Sequence, residues 1–238
     1  MPNQSFAFKK FVVSQDKCAH KVGTDAVLIG AWAQVEKAKS ILDIGTGTGV
    51  IALMMAQKSA AKIDAIDIEQ SSYEQALENV ANSPWADRVK VHRASLQDFI
   101  KREPGKYDII ISNPPYFVDS FKAPDEERSH ARHNDTLPFQ DLIEGVKQLL
   151  MPDGRFYIIL PTREAQDFKA RAEKKGLYLV KRLRVKTKLV NDTEKRHLMQ
   201  FSFITTPLND QTLSIEKEGH HDYTDAYKLL TGDFYLHF

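Results

Sequence analysis

Between residues 40 and 160, short apolar stretches alternate with longer amphipathic ones, and this alternation restricts the chain to an α/β fold built on a mostly parallel sheet. The segments 40–44, 62–66, 88–92, 107–112 and 155–160 read as strands. The segments 50–58, 71–82, 96–101 and 163–175 read as helices, the last stopped by Gly176. A further helix takes Pro138 as its first residue, where a missing N–H costs nothing. Ahead of the first strand, Thr24 is expected to N-cap a helix reaching about Val35, with Val27, Leu28, Ala31, Trp32 and Val35 on one face. Asp153-Gly154 forms a turn, and the segments 177–185 and 197–205 lie close enough to pair as a hairpin. The expected organisation is one domain over residues 1–238, decorated by the segment 1–39 and the tail 206–238.

The chain carries 33 basic and 32 acidic residues, so no global polyanion signature exists. The distribution is uneven. Residues 163–196 hold 12 basic and 5 acidic side chains, whereas residues 206–238 hold 2 and 6; this fits a localised anionic partner, but charge alone favours a solvated helix and strand. Cys18 is the single cysteine, so neither an internal disulfide nor a thiolate metal site is expected. Apart from the pair His220-His221 the histidines are scattered without a metal-ligand spacing, and no metal is expected. No stretch has the length and apolarity of a signal or membrane-spanning segment, so the expected setting is soluble, reducing and cytoplasmic.

The first strand runs into Leu42-Asp43-Ile44-Gly45-Thr46-Gly47-Thr48-Gly49, and a helix follows at once. Glycines at this spacing let the chain turn sharply and bring backbone N–H groups close to a ligand. The pattern is one residue shorter than the dinucleotide fingerprint, and Asp43 precedes it. A carboxylate there repels a pyrophosphate but accepts bonds from an ammonium, so the implied ligand carries an amino acid moiety. Asp67 closes the second strand some 20 residues on, where a doubly wound fold places the acid that accepts ribose hydroxyls. Asp98 follows the third strand and could take an adenine amine, but Ser95-x-x-Asp98 reads equally well as a helix-capping box.

With Asp43, Gly45, Thr46, Gly47, Gly49, Asp67 and Asp98 in this order, the segment from about Val22 to Thr205 resembles the class I S-adenosylmethionine-dependent methyltransferases. The resemblance implies a Rossmann-like, seven-stranded, mostly parallel sheet with an antiparallel last strand. It also implies S-adenosylmethionine over the C-terminal edge of that sheet, within reach of Thr24 and Asn113.

The fourth strand ends in Ile111-Ser112-Asn113-Pro114-Pro115-Tyr116, which matches the N-P-P-Y motif of methyltransferases acting on planar nitrogens. An exocyclic amine of adenine is a poor nucleophile because its lone pair is delocalised into the ring. The Asn113 side-chain oxygen and the Pro114 carbonyl can each accept one of its N–H groups, favouring pyramidalisation. The prolines preset the backbone, and Tyr116 offers a stacking face worth roughly 1–3 kcal/mol. Positioning then does most of the work.

Three further stretches resemble the tRNA1(Val) (adenine(37)-N6)-methyltransferase family: His20-Lys21-Val22-Gly23-Thr24-Asp25-Ala26, Arg128-Ser129-His130-Ala131-Arg132-His133 and Asp233-Phe234-Tyr235-Leu236. Membership implies modification of the adenine 3′ of a tRNA anticodon. Protein-glutamine methyltransferases share N-P-P-Y but carry an N-terminal helical domain, and only about 39 residues precede the first strand here. They remain the alternative within enzymes. A catalytically silent RNA-binding module would show decay of Asn113 or Tyr116, and both are present. For RNA, Arg182, Arg184, Lys186 and Lys188 point to one side of a strand while Leu183 and Val185 point to the other, and Arg128 and Arg132 lie in the polar loop. Phe6, Phe8 and Phe11, interleaved with Lys9 and Lys10, fit stacking on bases or packing in a core equally well. The chain is expected to act as a monomer.

Overall fold

The computed structural model describes residues 4–19, 21–114, 137–190 and 193–237. Pro115, Tyr116, Arg128 and Arg132 lie outside them, as do His20 and the loop 118–136. In chain order the elements are β1 (Ser5–Ala7), β2 (Val12–Ser14), α1 (Thr24–Trp32), β3 (Ser40–Ile44), α2 (Val50–Lys58), β4 (Lys62–Asp67), α3 (Gln70–Ala81) and β5 (Val89–Arg93). They continue with α4 (Leu96–Ile100), β6 (Tyr107–Ser112), α5 (Phe139–Leu149), β7 (Leu150–Pro161), α6 (Thr162–Lys174), β8 (Tyr178–Lys188), β9 (Glu194–Ser202), β10 (Asn209–Glu216) and α7 (Asp225–Thr231).

One eight-stranded sheet has the order β10-β8-β9-β7-β6-β3-β4-β5, and β1 and β2 form a separate antiparallel pair. Within the large sheet only β9 runs against its neighbours. Seven of its strands reproduce the expected arrangement, including the antiparallel strand. The eighth, β10, comes from the segment 206–238 and extends the edge in parallel with β8. Buried side chains of alternating parity pack on the two faces. On one face Ile41, Ile63, Ile109, Ile111 and Leu198 meet α1, α2, α3 and α7. On the other Leu42, Ile110, Ile158, Met199 and Phe201 meet α4, α5 and α6.

Several local expectations shift. Thr24 is the first residue of α1, and Gly23 holds the cap position in an extended conformation. The helix stops at Trp32, short of Val35, and Ala26, Val27, Leu28, Ile29, Gly30 and Trp32 are all buried. It is therefore wrapped by protein rather than laid with one stripe against a core. Pro138 caps α5 instead of opening it. The Asp153-Gly154 turn is absorbed into β7, whose pairing with β6 jumps from Tyr107↔Leu150 to Ile109↔Arg155 as an irregularity in a continuous strand. Gly176 ends α6 as expected, at φ 79 with the N–H of Leu177 reaching back to Ala172.

The aromatic residues near the start resolve as core. Phe8 and Phe11 are buried and stacked 4.6 Å apart, Phe11 meets Trp85 edge-on, and Phe6 and Phe8 contact Tyr235 from the tail. The tail is thus bonded into the fold: the N–H of Lys9 donates to the carbonyl of Phe234, and Thr224 caps α7 by accepting from the N–H of Tyr227.

Candidate active site

The turn after β3 is shaped by its backbone. Gly45, Gly47 and Gly49 have φ of 73°, 56° and 81°, a region that costs other residues roughly 1–2 kcal/mol each. The N–H groups of Gly45 and Thr46 donate to the Ile66 carbonyl, and the N–H of Gly47 donates to Asp67 Oδ2 at 2.8 Å. Among the described residues, a Cβ added at Gly45 or Gly47 would meet nothing within 4 Å, which leaves room for a ligand to approach the chain. At Gly49 a Cβ would sit 3.3 Å from that of Ala76, so this glycine lets α3 pack against the turn.

Asp43 lies fully buried beneath the turn. Its Oδ2 accepts from the Thr46 hydroxyl at 2.6 Å, and among the described residues its Oδ1 has no hydrogen-bond partner. Burial pushes this carboxyl up to about 7, against the pull of the hydrogen bonds from the Thr46 hydroxyl and the Ala52 N–H. An orphaned buried carboxylate oxygen below an open glycine turn suits a ligand that brings a cationic ammonium or water to it.

Strand register places the remaining residues. Ile44 pairs with Ile66 on one side and Ser112 on the other, so Asp67, Gly45 and Asn113 stand in a row one residue beyond, at the C-terminal ends of β4, β3 and β6. Two strand spacings separate the backbones of Asp67 and Asn113, about 10 Å. The Ser112 hydroxyl donates to the Ile44 carbonyl at 2.9 Å, clamping the end of β6 to β3 just before Asn113 and the buried Pro114. Asp67 Oδ1 accepts from the N–H of Glu69, so with Gly47 on Oδ2 this carboxylate is held by backbone donors on both oxygens.

Asp98 reaches the same edge on α4, since the N–H of Ala94 donates to the Asp67 carbonyl. The capping half of its expected ambiguity is present: the Ser95 hydroxyl accepts from the N–H of Asp98 and donates to its Oδ2 at 2.8 Å. Lys101 lies 2.9 Å from Oδ1 and, with Ser95, holds the carboxyl below the usual range. Thr24 lies exposed at the start of α1. The adjacent Asp25 is bound by Arg196 of β9 at 2.7 Å, which fixes that helix end near the same rim.

Two contributors escaped sequence reasoning. Asn79 of α3 is buried and donates to the carbonyls of Thr48 and Ser14, both at 2.8 Å, while accepting from the N–H of Ser14. It joins the glycine turn to β2, and no local pattern marks it because its partners are 31 and 65 residues away. Ile68, half exposed immediately after Asp67, offers an apolar face at the rim. An apolar residue following a strand-end acid is the signal that could have found it.

The basic stripe lies farther out, on β8, which is separated from β6 by β9 and β7. Its alternation is as expected, with Leu183 and Val185 buried opposite Arg182 and Arg184. The two arginines are engaged within the protein, however. Arg182 clasps Asp210 through Nε and Nη2, and Arg184 Nε donates to the same carboxylate at 3.1 Å. Arg184 Nη1 also reaches Glu194 at 2.9 Å, and Glu194 in turn meets the buried His197. Hydrogen bonds from Arg182 and His197 hold the carboxyls of Asp210 and Glu194 low. The acidic tail thus neutralises part of the basic segment that precedes it. Lys186 and Lys188 lie beyond these pairs, toward the strand end on the site's edge of the sheet.

Comparison with known proteins agrees with this geometry. The methyltransferase small domain family matches residues 21–171. A protein of Bacteroides thetaiotaomicron named tRNA1(Val) (adenine(37)-N6)-methyltransferase is 49% identical, with 100% of this chain and 99% of that protein covered. Proteins of the same name from Christiangramia forsetii and Trichodesmium erythraeum are 45% and 44% identical, each with 99% of both chains covered. Among solved structures, a predicted O-methyltransferase from Agrobacterium tumefaciens superposes with a TM-score of 0.68 at 17% identity, covering 88% of this chain and 96% of that one, which speaks for the fold. With residues 21–171 matched and full-length relatives at this identity, the chain belongs to the methyltransferase small domain family, in the group of the tRNA1(Val) (adenine(37)-N6)-methyltransferases.

Proposed function

We propose that the protein transfers a methyl group from S-adenosylmethionine to the N6 amine of an adenine in tRNA, the base 3′ of the anticodon. The observation that carries this reading is the row Asp67, Gly45 and Asn113 across three adjacent strand ends, with Pro114 next in the chain. The full-length similarity to proteins named for that reaction supports the same conclusion.

The residues fit the cofactor. The orphaned Oδ1 of Asp43 and the open turn at Gly45 and Gly47 suit an amino acid moiety, with Thr46 and Gly49 shaping the turn. Asp67 accepts ribose hydroxyls, Ile68 offers an apolar face to an adenine, and Asp98 and Thr24 line the rim. When bound, S-adenosylmethionine supplies a sulfonium methyl that is already activated. Asn113 Oδ1 and the Pro114 carbonyl accept the two N–H groups of the target amine and hold its lone pair toward the cofactor side. These acceptors are preorganised by the end of β6, so little reorganisation accompanies the reaction. Pro115 and Tyr116 complete the motif, with the ring as stacking platform.

An anticodon-loop adenine is already unpaired, so presenting it costs less than flipping a base from a duplex. Lys186 and Lys188, together with Arg128 and Arg132, provide phosphate contacts, while Arg182 and Arg184 contribute what charge Asp210 and Glu194 leave. Among the described residues no helix is long and apolar enough to cross a membrane. A monomer working in the cytoplasm is the setting this reading implies. Incubation with methyl-labelled cofactor and tRNA, followed by nucleoside mass spectrometry, should yield N6-methyladenosine. Methylglutamine in a protein substrate with tRNA untouched would replace this reading by protein-glutamine methylation.

A further inference from the structure

The histidine pair noticed in the sequence acquires a partner only in the fold. The chain leaves β10 at Glu216, makes a turn, and returns at Tyr223, which forms an isolated antiparallel bridge with Glu216. Among the described residues, Glu216, His220 and His221 each offer a ligand atom, and these atoms lie within 4.8 Å of one another. Glu216 is 7% exposed, unusual for a carboxylate at the end of an edge strand. Its Oε1 accepts from the N–H of His221 at 2.9 Å and lies 3.3 Å from His220 Nδ1.

The backbone at His221 is held at φ 64, a region that residues with a Cβ rarely adopt. That conformation brings the two imidazoles together, with ring centroids 3.8 Å apart, beside the buried carboxylate. Tyr223 lies 2.9 Å from His221 Nδ1 through its hydroxyl. A partner at Nδ1 fixes the ring and leaves Nε2 for a ligand, the way second-shell groups orient metal-binding histidines. Both imidazoles remain open to solvent, so an ion can enter.

We propose that Glu216, His220 and His221 form a binding site for a borderline divalent metal ion such as Zn2+, outside the methyl-transfer site. Two imidazoles and one carboxylate form a donor set suited to zinc, with water completing a tetrahedron. Glu216 pairs in register with Lys188 of β8, and Thr224 caps α7 directly after the turn. The ion therefore clamps the connection between the outermost strand and the last helix, without taking part in the reaction.

The test uses the full-length, tag-free protein, stripped with a chelator and titrated with ZnCl2 by calorimetry. One equivalent should bind per chain. His220→Ala, His221→Ala and Glu216→Gln should each weaken binding by at least about tenfold, the scale that even second-shell losses reach. Zn2+ should also raise the Tm and slow tryptic cleavage at Lys217 in the wild type, but not in the double variant His220→Ala/His221→Ala. Co2+ in place of Zn2+ should give the visible absorption of a low-coordinate nitrogen and oxygen site. Absence of saturable binding below millimolar Zn2+ would overturn the proposal. Undiminished stoichiometric binding by the double variant would overturn it equally.

Discussion

Replacing Asp43 with Asn tests the buried carboxyl beneath the glycine turn. In the folded protein this group is pushed up to about 7 from an unfolded value of 3.8. A folded pKa above the unfolded one means that the folded state binds more protons between those values. Stability is therefore full below about pH 4 and is lost as pH rises toward and through 7. The difference between 3.8 and about 7 corresponds to about 4 kcal/mol at complete ionisation. Asparagine keeps the volume and the contact to Thr46 but cannot ionise. Denaturant unfolding from pH 5 to 8 should show wild-type stability falling with pH and the variant nearly level, so that the variant is the more stable protein at pH 8. Cofactor binding should move the other way. A cationic ligand beside Oδ1 favours the ionised form, so wild-type binding should release a proton below pH 7. The variant should lose about 1.5–3 kcal/mol of affinity, the worth of a charge-assisted hydrogen bond. Parallel stability curves for the two proteins, or equal cofactor affinity at pH 8, would refute the argument.

Asp67→Ala should weaken S-adenosylmethionine binding by about 1.5–3 kcal/mol in calorimetry, and it should also loosen the turn, because the N–H of Gly47 loses its acceptor. Asn113→Ala should bind the cofactor normally while kcat and kcat/KM fall together, since its acceptor matters chiefly in the transition state; a normal kcat would remove Asn113 from the chemistry. Neutralising Lys186 should flatten the salt dependence of tRNA binding more than neutralising Arg184, whose charge is already met by Asp210 and Glu194. An equal change in both variants would show that the internal ion pairs open when RNA binds.

Much of the framework of the candidate site is legible because its signals are local. Three glycines at alternate positions after an apolar strand announce a turn with positive φ, and all three adopt it. An acid closing the next strand and Asn-Pro closing the fourth need only strand ends to be read correctly, and β4 and β6 end at Asp67 and Ser112. The parallel order then follows from chain chirality and crossover geometry, which place these ends side by side.

What escaped the sequence depends on partners far along the chain. β10 reads as a polar tail because an edge strand with four exposed residues at its start carries no continuous apolar run, and its pairing with β8 supplies the missing reason to be a strand. The helix α1 reads as amphipathic because periodicity cannot reveal that protein buries six of its nine residues. The stripe on β8 was correctly placed on one face, yet its charge could not be judged from its own residues, because Asp210 lies 28 positions beyond Arg182. The sequence by itself determined which residues turn, alternate and terminate, since those preferences are set by dihedral angles and side-chain period. Only the tertiary structure decided which of them are neutralised, buried or brought together, as at Arg182, Asp43 and the trio around Glu216, because solvation and Coulomb energies depend on neighbours in space rather than in sequence.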